Sequence, residues 1–128
     1  MNVLIDTCAW IDFFKSKTGA MSNRVKKLIE INQAAIIGVI IAELLQGIKQ
    51  EKEYQMLKIL LHSIHYLPTT DSDWFTVGQL ARQQRSVGLT LPLTDILIAV
   101  IAQRNKVPVL TVDKHFKHLP IDLDNLLP

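Results

Sequence analysis

Asp6, Glu43, Asp95 and Asp113 are the residues of this sequence whose type and setting could do chemistry. Each is embedded in sequence that otherwise asks to be buried. Asp6 closes the run Val3-Leu4-Ile5, and Asp113 follows Val109-Leu110-Thr111. Glu43 lies within Val39-Ile40-Ile41-Ala42-Glu43-Leu44-Leu45, and Asp95 precedes Ile96-Leu97-Ile98-Ala99-Val100-Ile101. Carboxylates are rarely fully buried without a partner. Only Lys114, beside Asp113, gives any of them a basic neighbour in sequence. Carboxylates crowded together must retain protons or bind a cation. The chain has no His/Cys spacing of the zinc kind, so an all-oxygen set suits Mg²⁺ or Mn²⁺. Such a site is suited to phosphodiester hydrolysis, with a bound cation activating a water and stabilising the leaving oxygen. Each acid alone has a plainer reading: Asp6 as a helix cap, Glu43 as a surface residue, Asp95 as a first-turn acid, Asp113 as a turn residue. The four together argue for one site.

The elements that must position these acids follow from periodicity and breakers. Val3 to Ile5 reads as a buried strand, and Thr7 to Phe14 as a short helix with Trp10, Ile11 and Phe14 on one side. Gly19 breaks the chain before a helix over Ser22 to Ile31. Ala35 to Ile37 is a second strand, stopped by Gly38. Helices over Val39 to Ile48 and Glu51 to His62 meet at a break near Gly47. A third strand spans Ile64 to Leu67, closed by Pro68. Asp71 to Val87 is a long helix capped by Thr70 or Asp71 and stopped by Gly88. Pro92 opens a helix that runs to about Arg104. Val109 to Thr111 is a further strand and Ile121 to Leu123 a last edge strand. Apolar strands alternating with helices predict an α/β fold, a central parallel sheet of about five strands covered on both faces. Asp6 and Asp113 then share the carboxyl rim of that sheet, where open α/β sheets bind ligands. The dipole of the helix that Pro92 opens favours an ionised Asp95.

Composition bounds the rest. At 128 residues the chain fits one domain, 1–128, and its 48% hydrophobic content supports a buried core. Charges interrupt every apolar run before it reaches the length of a membrane span. Cys8 is the single cysteine, which excludes an internal disulfide framework. With no signal-peptide pattern, it predicts a cytoplasmic protein. The net charge is +2, but setting aside the four acids leaves eight against fourteen Lys and Arg, a remainder of +6. That is a modest attraction for a polyanion.

Four segments together carry a family resemblance: VLIDTCAWID (3–12), IAELLQG (41–47), TDILIAVIA (94–102) and VLTVDKHF (109–116). In this order and spacing they resemble the PIN-domain family, in particular the VapC-type toxins of toxin–antitoxin pairs. The resemblance spans essentially the whole chain. It implies a PIN-like fold, endoribonuclease activity on RNA, Mg²⁺ or Mn²⁺ as cofactor, an antitoxin partner and a homodimer. Asp6, Glu43, Asp95 and Asp113 match the family's acids, with Thr7 and Thr111 in supporting positions. The sequence departs from the family where many members place a hydroxyl shortly before the Glu, because Val39, Ile40 and Ile41 are aliphatic. Cys8 stands where small or polar residues are common, and reads as a buried, inert thiol.

Two other function classes compete. A PIN-like module that kept its fold only for binding would be marked by a missing acid, and none is missing. Asp-based phosphotransfer also places an Asp after a parallel strand. Its phosphatase form needs a second acid two residues later, where this chain has Cys8, and its receiver form needs paired acids that are absent. A metal-free ribonuclease would need two cooperating histidines. His62, His65, His115 and His118 instead read as surface or packing residues.

Overall fold

The computed structural model describes residues 1–16 and 18–124. Lys17 and residues 125–128, part of the single domain expected over 1–128, lie outside that description. Among the described residues four short strands, β1 (Val3–Ile5), β2 (Ala34–Ile36), β3 (His65–Tyr66) and β4 (Val109–Leu110), form a sheet of order β3-β2-β1-β4. All neighbours are parallel: Leu4 pairs with Ala35 on one side and Val109 on the other, and Ala35 pairs with His65. Every residue of the two central strands is buried, which is why both read as unbroken apolar runs rather than alternations. The edge strand expected over Ile121 to Leu123 contracts to one parallel bridge, Val109 to Leu123. Asp122 O accepts from Val109 N–H and Asp124 N–H donates to Val109 O, so the two-residue β4 has only one residue to offer.

Among the described residues six α-helices flank the sheet: α1 (Thr7–Lys15), α2 (Ala20–Glu30), α3 (Gly38–Gln46), α4 (Glu51–His62), α5 (Asp71–Ser86) and α6 (Leu93–Asn105). A 3₁₀ turn covers Lys114–His118. Every residue of α6 from Ile96 to Ala102 is buried, because the helix is apolar all round and packs inside the domain. α5 lies against it, and a capping box between Thr70 and Asp73 closes the N-terminus of α5. Arg104 near the end of α6 clamps Asp73 with two hydrogen bonds of 2.8 and 2.9 Å and reaches Pro68 O. α5 stops at Gly88, whose φ of 85° lies in the left-handed region that glycine adopts without strain. Gly38, at the start of α3, sits close to the Tyr66 side chain: a Cβ there would lie 3.2 Å from the hydroxyl, which would have to shift by a few tenths of an ångström. α3 has no side-chain cap, in keeping with the aliphatic residues around its start.

The expected apolar side of α1 divides in two. Trp10 is fully buried, whereas Ile11 and Phe14 remain about 40% exposed. Among the described residues, no helix is long and apolar enough to cross a membrane.

Candidate active site

Asp6 is the residue on which the site is built. The chain leaves β1 at Ile5 and turns into α1, and Asp6 caps that helix through Oδ1, which accepts from Thr7 N–H at 2.8 Å. The other oxygen, Oδ2, accepts from the Thr111 hydroxyl at 2.8 Å and from the Cys8 thiol at 3.3 Å. Thr111 is the residue after β4, and Leu4 and Ile5 pair with Val109 and Leu110. The β1–β4 register therefore brings two segments about a hundred residues apart into contact. The plainer reading of Asp6 as a helix cap is met by Oδ1, which leaves Oδ2 to the contacts with Thr111 and Cys8.

Asp113 is set by the same hydroxyl. Its N–H donates to Thr111 Oγ1 at 2.9 Å, and its Oδ1 accepts from His115 N–H at 2.9 Å, capping the 3₁₀ turn. Asp95 sits in the first turn of α6. His115 joins the two acids: Nδ1 lies 2.9 Å from Asp95 Oδ2 and 3.2 Å from Asp113 Oδ1. The structure thus gathers Asp95, Asp113 and His115 at one point, with ligand atoms within 4.8 Å of one another. Asp6 is close enough for its charge, with that of Asp113, to act on Asp95. Glu43 stands one hydrogen bond further out, its Oε1 accepting from the Thr7 hydroxyl at 3.0 Å.

The electrostatics record the crowding. Burial pushes the Asp95 carboxyl above its ordinary value; the His115 hydrogen bond opposes this, and the charges of Asp113 and Asp6 add to it. The hydrogen bond to Asp95 raises His115 in turn; desolvation opposes it, and the charges of Asp113 and Asp95 add to the rise. Among the described residues no Lys or Arg forms an ion pair with these acids, so His115 is their one paired counter-cation. A surplus of negative charge therefore faces a shared point, and the donor set fits a divalent cation.

Two residues differ from their sequence reading. His115 is exposed, as expected, but its imidazole faces the acids instead of serving the surface or the packing. The signal was local: an Asp that caps a turn folds the residue two places on back over its own carboxylate. Cys8 is half-buried, and burial raises its pKa above the ordinary thiol value, so it stays a thiol that can donate to Asp6.

A second feature adjoins the site. A groove of about 710 Å³ runs between α1, α3 and α4, lined by Ile11, Phe14, Leu44, Ile48, Met56 and Leu57 among others, and Glu43 stands in its wall.

A parallel α/β sheet with acids gathered at its carboxyl rim defines a class in which the loops after the strands bind the ligand. Within that class, this chain belongs to the PIN domain family, whose profile matches residues 3–122. It is 27% identical over 118 residues to VapC ribonuclease Mb1587 of Mycobacterium bovis, covering 89% of this chain and 88% of that protein. It is 26% identical over 118 residues to ribonuclease VapC1 of Methanocaldococcus jannaschii, covering 91% and 80%. Among solved structures it is similar to VapBC2 from Rickettsia felis bound to a promoter DNA fragment, with a TM-score of 0.81, 25% identity and 98% of each chain covered. The DNA-bound VapBC of Salmonella typhimurium shares the fold, with a TM-score of 0.82 at 18% identity over 99% of each chain.

Proposed function

We propose that this chain is a metal-dependent endoribonuclease, one PIN domain acting as the toxin of a type II toxin–antitoxin pair. The observation that carries the reading is the convergence of Asp95 and Asp113 on a point that Asp6 also influences, with too little basic charge to balance them. On this reading Asp6, Glu43, Asp95 and Asp113 hold Mg²⁺ or Mn²⁺, which when bound supplies an activated water and stabilisation of the leaving oxygen. The chain's own part is positioning. Thr111 orients Asp6 and the backbone of Asp113, while Thr7 orients Glu43. Lys114 and Lys117 are exposed in the turn that follows Asp113, and on this reading they offer cationic contacts for a phosphate backbone. RNA as the substrate is supported by the names of the curated relatives, which are ribonucleases.

The groove supports the partner. It is apolar, it opens beside Glu43, and it has the form that takes the apolar face of an amphipathic segment. The antitoxin of this reading lies there, and an Arg from it reaches the acids and competes with metal and RNA. A homodimer is part of this reading, with exposed Ile59, Trp74 and Phe75 as apolar side chains open to such a contact.

The test is to incubate the purified chain with cellular RNA, with Mn²⁺ or EDTA, and to sequence the new ends. Cleavage that needs the metal and leaves 5′-phosphates and 3′-hydroxyls is expected. Mainly 2′,3′-cyclic phosphate ends would refute the mechanism, and no cleavage of any RNA would point to a binding module.

A further inference from the structure

We propose that His115 is a direct ligand of the metal, binding it through Nδ1 together with Asp95 and Asp113, the ion displacing the Nδ1 proton to solvent. The inference rests on the metal-dependent reading above and adds a nitrogen to a donor set otherwise made of oxygen.

The geometry supplies the argument. His115 Nδ1, Asp95 Oδ2 and Asp113 Oδ1 form a compact set, with Nδ1 2.9 and 3.2 Å from the two oxygens. Adjacent ligands of an octahedral ion with bonds of about 2.1 Å lie about 3.0 Å apart. The nitrogen is therefore already at the spacing that shared coordination requires. Its carrier is fixed as well. His115 N–H is bonded to Asp113 Oδ1, Asp113 N–H is bonded to Thr111, and the next residue, Phe116, is 1% exposed and anchors the turn in the core. The imidazole consequently approaches the acids from an anchored backbone rather than from a free loop. Charge points the same way: one imidazolium offsets at most one of the two carboxylates it touches, whereas a divalent ion offsets both. Mg²⁺ is a hard ion that prefers oxygen ligands, so a nitrogen in the donor set should favour Mn²⁺ over Mg²⁺.

The test is electron spin-echo spectroscopy of Mn²⁺ added to the full chain, compared with His115→Ala, with circular dichroism as the check on folding. A ¹⁴N coupling of the directly bound kind is expected in the unaltered chain and should vanish in His115→Ala. Mn²⁺ affinity should fall by about tenfold or more, with a smaller change for Mg²⁺. Because the His115 side chain is 48% exposed, the variant should keep its fold. Bound Mn²⁺ with no ¹⁴N coupling, or a coupling that persists in His115→Ala, would overturn the inference while leaving the nuclease reading in place. Failure of the unaltered chain to bind Mn²⁺ or Mg²⁺ would overturn both.

Discussion

The Thr111 hydroxyl donates to Asp6 Oδ2 at 2.8 Å and accepts the N–H of Asp113 at 2.9 Å. One side chain thus sets the orientation of two acids from opposite ends of the sequence. Thr111→Val keeps the shape and removes both bonds. RNA cleavage should fall about 10- to 100-fold, the range for losing a partner that orients a metal ligand. Stability should fall by about 1–2 kcal/mol for the unsatisfied groups. Thr111→Ser should retain most of the activity. Cleavage rates and thermal melts of the two variants, measured side by side, check this. Equal activity in Thr111→Val and the unaltered chain would remove Thr111 from the site.

Asp6→Asn should reduce metal-dependent cleavage by more than about 100-fold, beyond the cost of losing an outer partner. The fold should survive, because the Asn side-chain oxygen still caps α1 by accepting from Thr7 N–H. Removing one of several crowded negative charges relieves repulsion among the rest, so the melting temperature without metal should be unchanged or raised. A fully active Asp6→Asn protein would sink the proposed site.

The Asp73–Arg104 clamp is a stability device away from the acids. Arg104 stands nine residues after Asp95, about 13 Å along α6. Burial by itself would raise the Asp73 pKa, but the hydrogen bonds from Arg104 and Thr70 outweigh it and hold the carboxyl below its ordinary value. A depressed folded-state pKa contributes stability that is complete above the unfolded value of about 4 and is lost as pH falls through the folded value. Urea melts between about pH 2 and 6 should therefore show an acid limb that flattens in Asp73→Asn. Arg104→Ala should cost about 2–3 kcal/mol, less than a fully buried pair because the Arg104 side chain is 37% exposed. Cleavage by the remaining folded protein should persist.

Met56 lines the groove and is 63% exposed, so a charge there can be carried without disturbing the core. Met56→Lys should weaken binding of the co-encoded partner by about tenfold or more, as loss of an apolar anchor does at an interface. RNA cleavage by the free chain should be unchanged. Co-purification and calorimetry with the protein encoded beside this chain measure the first effect, and cleavage assays the second. Unaltered partner affinity would move the docking site away from this groove.

The sequence by itself determined the alternation of elements, the parallel sheet and the four acids to examine. These are written in local patterns: apolar runs of strand length, helical spacing, and stops at Gly19, Gly38 and Gly88. They also placed Asp6 and Asp113 on one rim, since parallel strands point their carboxyl ends the same way. Tertiary structure alone decided how the acids are arranged. It joined Asp6 to Thr111 through the β1–β4 register, set Glu43 one hydrogen bond out through Thr7, and turned His115 inward between Asp95 and Asp113. It also reduced the last edge strand to a single bridge and left Ile11 and Phe14 in an open groove beside a buried Trp10. The physical reason is one of range. Periodicity and breakers act over a few residues, whereas a side chain's partners depend on strand register and turn geometry that bring together residues twenty to a hundred positions apart.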